Sequence, residues 1–489
     1  MKKYILLLLV IIGYGTNSNA AITQIRWGSS ANPLHGTTIT WSNTGTSDSI
    51  RWGYTNAYGK GSFAGIKRAG YVAGTSFFKF TFESLIANST LYYQLYDSKV
   101  NAWDIARTFI TAAPDSTENY SFTALGDCRT SLSVLTNISN LANDKHSTFS
   151  LFNGDLTLSG KSVTEYNSFF TAAANFLTNN IVYHAEGNHD AYSTSIFSNL
   201  FDLPSTNGTN LYYAFHYGNG IFITLNTCDP GNAAQLAWLR TTLAAAAADP
   251  KITWKVISFH HPFFNTGNHN GDMNAYRTTL WKAFDDYGVD LILNGHDHNY
   301  QRSKPINFNV SKTAPVAQYG STALTGRCEI ISGGAGAALY TINTNSSDAW
   351  AINNYNANYN YTYCEVQGCK MKITVYGQTG NVIDAFTLDK TASCNITNEV
   401  VNIKNTFNPI SVYPNPTEGQ FTLTYNSTEI GEASISIFDG NGKEIGSEKI
   451  KKTSNDLEFN YDLSKHEKGI YIVSISIGNQ KDNAVIILK

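Results

Sequence analysis

The hydrophobic pattern divides the chain into three stretches of different character. From Ile22 to about Pro114, apolar and polar residues alternate in short segments: Ile22–Trp27, Thr37–Trp41, Ser49–Tyr54, Phe77–Phe82, Leu91–Tyr96 and Arg107–Thr111. Gly, Asn, Ser and Thr clusters separate them, and short period-two segments between turn clusters predict a small β-sandwich. From about Glu118 to Lys390, strand-like runs alternate with helical patterns such as Ala233–Ala248 and Tyr276–Tyr287. That order predicts a layered α/β core, with the β-rich segment from Cys328 to Leu388 completing a second sheet. Beyond about Asn405, alternation in Ser434–Phe438 and Ile470–Ile477 predicts another small β-sandwich.

Within the central stretch, five short apolar runs each stop at a residue type that binds metals. They are Tyr120–Leu125 before Gly126-Asp127, Thr148–Phe152 before Asn153-Gly154-Asp155, and Ile181–Tyr183 shortly before Gly187-Asn188-His189-Asp190. The other two are Ile252–Phe259 before His260-His261-Pro262, and Val289–Leu293 before Asn294-Gly295-His296-Asp297-His298. Runs of this kind read as buried strands, and open α/β sheets bind ligands in the crevice beyond the carboxyl ends of their strands. Two carboxylates, one amide and three imidazoles converging there suit two cations roughly 3.5–4 Å apart that share a carboxylate.

The ends and the composition narrow the setting. Met1-Lys2-Lys3, the apolar Ile5–Ile12 and Ser18-Asn19-Ala20 have the layout of a secretory signal peptide, with the mature chain expected to begin near Ala21. No stretch approaches the roughly 20 apolar residues that a transmembrane helix needs. Among 489 residues, 34 basic against 37 acidic side chains leave a formal charge of −3, which does not imply nucleic acid as a partner. Export permits disulfides among Cys128, Cys228, Cys328, Cys364, Cys369 and Cys394. Cys364 and Cys369 flank a plausible tight turn, and a local bridge is expected there. Cys128, beside Asp127, reads either as a reactive thiol or as a small packed residue.

The series Gly126-Asp127, Gly154-Asp155, Gly187-Asn188-His189-Asp190, His260 with Pro262, and Gly295-His296-Asp297-His298 resembles the calcineurin-like metallophosphoesterases, and within them the purple acid phosphatases. The resemblance implies a fibronectin type III-like domain over residues 21–114 and a metallophosphoesterase sandwich of two mixed β-sheets flanked by helices over 118–390. Residues 391–408 read as a linker. Over 409–489, Val412-Tyr413-Pro414-Asn415-Pro416-Thr417, Gly419-Gln420-Phe421 and Lys468-Gly469-Ile470-Tyr471-Ile472-Val473 resemble the type IX secretion sorting domain of Bacteroidetes proteins. An accessory sandwich, such as a carbohydrate-binding one, is the alternative. With residues 1–20 as signal peptide, the sorting reading implies a secreted or cell-surface protein handled by the type IX machinery.

By the same resemblance, Asp155 is the bridging carboxylate, Asp127 and His298 fall on one metal, and Asn188, His260 and His296 on the other. His189 and His269 are the expected catalytic residues, and Asn188, His189, Arg129 and His269 the expected substrate contacts. Arg129 has the alternative of pairing with a nearby carboxylate. His261 and Asp297 read as braces of the ligands, and His35, His146, His184, His216 and His466 as structural or exposed.

The sequence departs from the purple enzymes three residues after Asp155, where their iron-binding tyrosine is replaced by Leu158. Asp127-Cys128-Arg129 likewise lacks the histidine that other calcineurin-like enzymes carry two residues after their first aspartate. Two divalent ions in a colourless protein are therefore expected, with zinc, manganese and iron all open. Held by two carboxylates, such ions leave about two net positive charges, which favours a phosphoryl dianion, and a metal-bound hydroxide would attack it in line. The implied function is a secreted phosphomonoesterase of broad specificity acting on phosphorylated small molecules. A phosphodiesterase or nucleotide-cleaving enzyme, and an inactive cell-surface binding protein, are the alternatives.

Overall fold

The protein is described here by a computed structural model covering residues 22–489, other than 46, 69–75, 115, 206–207, 393, 395–409, 440–442 and 479. The expected signal peptide and most of the expected linker lie outside the described residues. By its internal contacts the chain forms two units, which divide between residues 396 and 397.

The alternating amino-terminal segments form two antiparallel sheets. One has the strand order Thr23–Ser29, Thr37–Asn43, Ser76–Phe82, Ile66–Arg68. The other runs Gly61–Ala64, Ser49–Gly53, Thr90–Asp97, with Ala102–Trp103 and Arg107–Ile110 both paired to the last of these. Every second residue of Thr90–Asp97 is buried, so Leu91, Tyr93 and Leu95 enter a core with Trp27, Ile39, Trp41, Ile50 and Phe82. This sandwich is anchored on the helices of the central domain. Arg26 donates to Leu200 O at 3.1 and 2.8 Å and lies 4.5 Å over the Phe170 ring, while Lys79 pairs with Asp202 at 3.0 Å.

The central domain is an α/β sandwich of two mixed sheets. The first has the order Val182–His184, Phe149–Phe152, Asn119–Leu125, Asn360–Gln367, Lys370–Gly377, Val382–Asp389, with the first three strands parallel. The second has the order Tyr213–Tyr217, Gly220–Thr224, Trp254–Ser258, Leu291–Asn294, Cys328–Ser332, Tyr300–Ser303, Ile352–Asn356. Aromatic rings fill the space between the sheets: Phe149 packs against Phe122, Phe215 and Phe222 at centroid separations of 5.4, 5.3 and 4.8 Å. Helices Leu132–Asn143, Val163–Ala172 and Ala174–Asn179 cover the outer face of the first sheet, and Ala233–Ala248 and Lys282–Tyr287 that of the second. The carboxyl ends of Asn119–Leu125, Phe149–Phe152, Trp254–Ser258 and Leu291–Asn294 all open on one crevice, where the metal-type residues lie.

Two local expectations need correction. The helix expected over Tyr276–Tyr287 is split into a 3₁₀ turn, a wide π turn over Arg277–Trp281, and an α-helix from Lys282. The wide turn coincides with the buried guanidinium of Arg277, which donates to Phe263 O and to Asp348, each at 2.5 Å. The Cys364–Cys369 bridge does not form. Cys364 is a core residue paired across the hairpin with Ile373, whereas Cys369 lies in the turn beyond the Gln367–Lys370 pair. At ~3.4 Å per residue that places the two far beyond disulfide reach. Cys369 bonds Cys394 instead, with their Cα atoms 6.0 Å apart.

The carboxy-terminal unit is a second small sandwich. Ile410–Tyr413, Gln420–Asn426 and Asp456–Asp462 form one antiparallel sheet, and Glu444–Lys452, Gly431–Phe438, Gly469–Ile477 and Gln480–Leu488 the other. Leu423, Tyr425, Ile435, Ile437, Val473 and Ile475 fill the space between them. Among the described residues no helix is long and apolar enough to cross a membrane.

Candidate metal centre

Tight turns at the strand ends aim the polar side chains inward. Asp127, Asp155 and His296 all adopt positive φ, at 62°, 57° and 71°, a region that non-glycine residues rarely enter. Gly154, at φ 87°, leaves the room that His260 needs, since a Cβ there would come 2.8 Å from His260 Nδ1. Gly187 and Gly295 are pressed against the Asp155 and Asp127 carboxylates in the same way. Asp190 ties the loops together: its carboxylate accepts from Leu156 N, Gly187 N and Thr157 Oγ1, each at 3.2 Å.

These turns bring the six expected ligands together in two groups. In the first, Asn188 Oδ1 lies 2.9 Å from His260 Nε2 and 3.1 Å from His296 Nδ1, and the two ring nitrogens are 3.1 Å apart. Asp155 Oδ1 closes this group, 3.3 Å from His260 Nε2. In the second, Asp127, Asp155 and His298 converge, with Asp127 Oδ1 3.6 Å from His298 Nε2. The Asp155 carboxylate thus belongs to both groups.

The surroundings fix which ring nitrogen is free. His260 Nδ1 lies 2.8 Å from Asn153 O, and His298 Nδ1 2.6 Å from Ala338 O, so each donates there and presents the Nε2 lone pair inward. His296 Nε2 faces Asp272 Oδ2 at 3.4 Å, leaving Nδ1 for the centre. Burial pushes His260 and His298 down to about 3 and lowers His296 as well, so all three rings are neutral at ordinary pH. Burial, reinforced by Asp155, pushes the Asp127 carboxyl well above its ordinary range, and a cation between the two would relieve that repulsion. Neutral imidazoles with oriented lone pairs beside paired carboxylates are a donor set that fits divalent metal ions.

The neighbours of this set are also resolved. His261 donates or accepts with Thr227 Oγ1 at 3.0 Å and stands with His260 and His296 in one cluster of potential ligand atoms. Asp297 accepts from His269 N at 3.3 Å, holding the loop that carries His269. The His269 ring lies 3.8 Å from that of His296, with Nδ1 3.3 Å from Asp272. His189 is half-buried; its backbone N–H donates to Asp155 Oδ1 at 3.0 Å, and its Nδ1 lies 2.5 Å from Leu158 O. The Leu158 side chain itself is 59% exposed. Cys128 is fully buried with Sγ directed at Asp155 O and Leu156 O, and burial raises its thiol, so it is a packed residue. Arg129 points inward, and its Nη1 lies 2.5 Å from Asp155 Oδ2 and 2.8 Å from His298 Nε2.

Sequence reasoning did not single out Asp272, Asn153, Ala338 or Thr227. Two of these act through backbone carbonyls, which leave no trace in residue type. Asp272 lies three residues after His269, but nothing in that spacing marks it as a partner of His296.

The chain resembles known proteins in sequence and in fold. Residues 120–300 match the family model of the calcineurin-like phosphoesterases, and residues 411–489 that of the secretion system C-terminal sorting domain. Purple acid phosphatase 15 of Arabidopsis thaliana is 29% identical over 145 residues, covering 27% of each chain. Acid phosphatase A of Cryphonectria parasitica is 31% identical over 152 residues, 30% of this chain and 28% of that protein. In both cases the match spans under a third of the relative's length. The purple acid phosphatase of yellow lupin (Lupinus luteus) seeds shares the fold, with a TM-score of 0.63 at 17% identity over 76% of this chain and 74% of that one.

The central domain is a calcineurin-like metallophosphoesterase domain, preceded by a β-sandwich and followed by a type IX secretion sorting domain. Within that class it is related to the purple acid phosphatases. The sorting domain implies a secreted or cell-surface location and an interaction with the secretion machinery.

Proposed function

We propose that the protein is an exported metal-dependent phosphatase of broad specificity that hydrolyses phosphate monoesters. The observation that carries this reading is the Asp155 carboxylate, whose Oδ1 lies 3.3 Å from His260 Nε2 while the same side chain also belongs to the cluster of Asp127, Asp155 and His298. Divalent ions held by these two groups would supply positive charge for the phosphoryl oxygens and activate water for in-line attack on phosphorus.

The chain's own residues do the rest. Asn188 and His189 stand next to each other on the loop after Val182–His184, at the edge of the centre, and are assigned to the phosphoryl group. With Nδ1 held against Leu158 O, His189 has Nε2 left to face the leaving oxygen. His269, its ring 3.8 Å from that of His296 and tilted by 39°, is the second residue assigned to the substrate side. Arg129 would reach a phosphate only by leaving Asp155 and His298.

The test is hydrolysis of mono- and bis-(nitrophenyl) phosphate by the full chain after stripping and reconstitution with zinc, manganese or iron. A clear preference for the monoester supports the proposal. A preference for the diester assigns the same centre to phosphodiester cleavage, and activity on neither ester with any metal favours a binding protein.

A further inference from the structure

The two ligand groups differ in what stands among their donor atoms. Asn188, His260 and His296 face one another directly at 2.9–3.1 Å. Among Asp127, Asp155 and His298 stands a guanidinium: Arg129 Nη1 is 2.5 Å from Asp155 Oδ2, 2.8 Å from His298 Nε2 and 3.9 Å from Asp127 Oδ1. His298 Nδ1 is committed to Ala338 O, so its Nε2 lone pair accepts from Arg129. One positively charged nitrogen therefore meets the same three side chains that a metal ion held there would meet. The Arg129 side chain is only 11% exposed, and a guanidinium offers no lone pair to a metal ion.

The rest of this group is correspondingly poor in ligands. Arg129 itself occupies the position two residues after Asp127, and Leu158, three residues after Asp155, turns its side chain outward. A metal ion and a guanidinium 2.5–2.8 Å from the same atoms exclude each other by volume and by charge.

Resting on the metal-dependent reading above, we infer that Arg129 is a built-in competitor for one of the two metal positions. The Asn188–His260–His296 position loads first and tightly. The Asp127–Asp155–His298 position accepts its ion only when the Arg129 side chain swings out, on the side where the Tyr340 hydroxyl already lies 3.5 Å from Nη2. The second ion must therefore outcompete two charge-assisted hydrogen bonds, a handicap of ~10- to 100-fold in affinity.

The test is calorimetric titration of the chelator-stripped full chain with Mn²⁺, with electron paramagnetic resonance to detect magnetically coupled pairs. Wild type, Arg129→Ala and the neutral, polar but shorter Arg129→Gln are compared, with melting curves reporting their folding. Wild type is expected to bind one ion tightly and a second at least ~10-fold more weakly. Either folded variant should tighten the second site by ~10- to 100-fold, and the coupled signal should appear at lower Mn²⁺. Two equal sites in wild type, or unchanged second-site affinity in a folded variant, would overturn the inference while leaving the metal-dependent reading intact. If both variants fail to fold, Arg129 is a structural residue and the inference falls. No Mn²⁺ bound by any of the three would overturn the metal-dependent reading itself, and the inference with it.

Discussion

The backbone carbonyl of Leu158 lies 2.5 Å from Nδ1 of His189. Leu158, whose side chain points outward, thus serves the centre through its main chain, by fixing which nitrogen of His189 is free. Replacing His189 with Ala removes the proposed proton donor but none of the six ligands. Turnover on nitrophenyl phosphate is expected to fall by about 10²–10⁴-fold, with metal content, read by elemental analysis, largely unchanged.

Asp272 was not foreseen, and its proposed role is confined to orienting His296 and His269, from 3.4 and 3.3 Å. Outer partners of metal-binding histidines are typically worth 10–100-fold in affinity or activity. Asp272→Ala is therefore expected to weaken Mn²⁺ binding by about 10–100-fold in a calorimetric titration, and Asp272→Glu to recover part of the loss.

His184 connects the fold to acid stability. Its ring lies 4.0 Å from Phe201 and 5.8 Å from Phe152, its buried Nδ1 has no hydrogen-bond partner, and burial, aided by Arg26, pushes its pKa down to about 3. The folded chain therefore holds it neutral, whereas the unfolded chain protonates it near 6.5. Its contribution is fully favourable above about pH 6.5 and is lost as the pH falls toward 3, by up to roughly 5 kcal/mol. Denaturant unfolding across this window should show a shallower loss of stability in His184→Leu than in wild type.

The carboxy-terminal sandwich has its own core of Leu423, Tyr425, Ile435, Ile437 and Val473, and it supplies none of the proposed site residues. A chain ending after residue 396 keeps the Cys369–Cys394 disulfide and the whole central domain. Its turnover on nitrophenyl phosphate should match that of the full chain within about twofold, a small difference on the scale of ~1.4 kcal/mol per tenfold. Secretion from a host with the type IX system should be lost.

Much of this was legible in residue pattern. Helix Ala233–Ala248 has the expected bounds, and the six side chains proposed as ligands lie where strand ends were foreseen. Residue type and local spacing carry such information, because a strand end and a ligand type fall within a few residues of each other. What escaped depends on contacts distant in sequence. The π turn at Arg277 answers to Asp348, 71 residues on, and the true partner of Cys369 is set by where the chain goes after its last central strand. That Arg129 pairs with a carboxylate was open from sequence, but which one was not, since only the fold brings Asp155 and His298 to the same guanidinium.

The central claim is that the side chains around Asp155 hold metal ions for phosphate ester hydrolysis, and Asp155→Asn tests it most directly. Metal content and nitrophenyl phosphate turnover should be measured together, on wild type and variant, after chelation and after reconstitution. Wild type should lose activity on chelation and regain it with at least one bound ion per chain, while the variant should bind fewer ions and stay below about 1% of wild-type turnover, a loss of at least ~2.7 kcal/mol of transition-state stabilisation. Wild-type activity that survives chelation, or full metal content and turnover in the variant, would contradict the account.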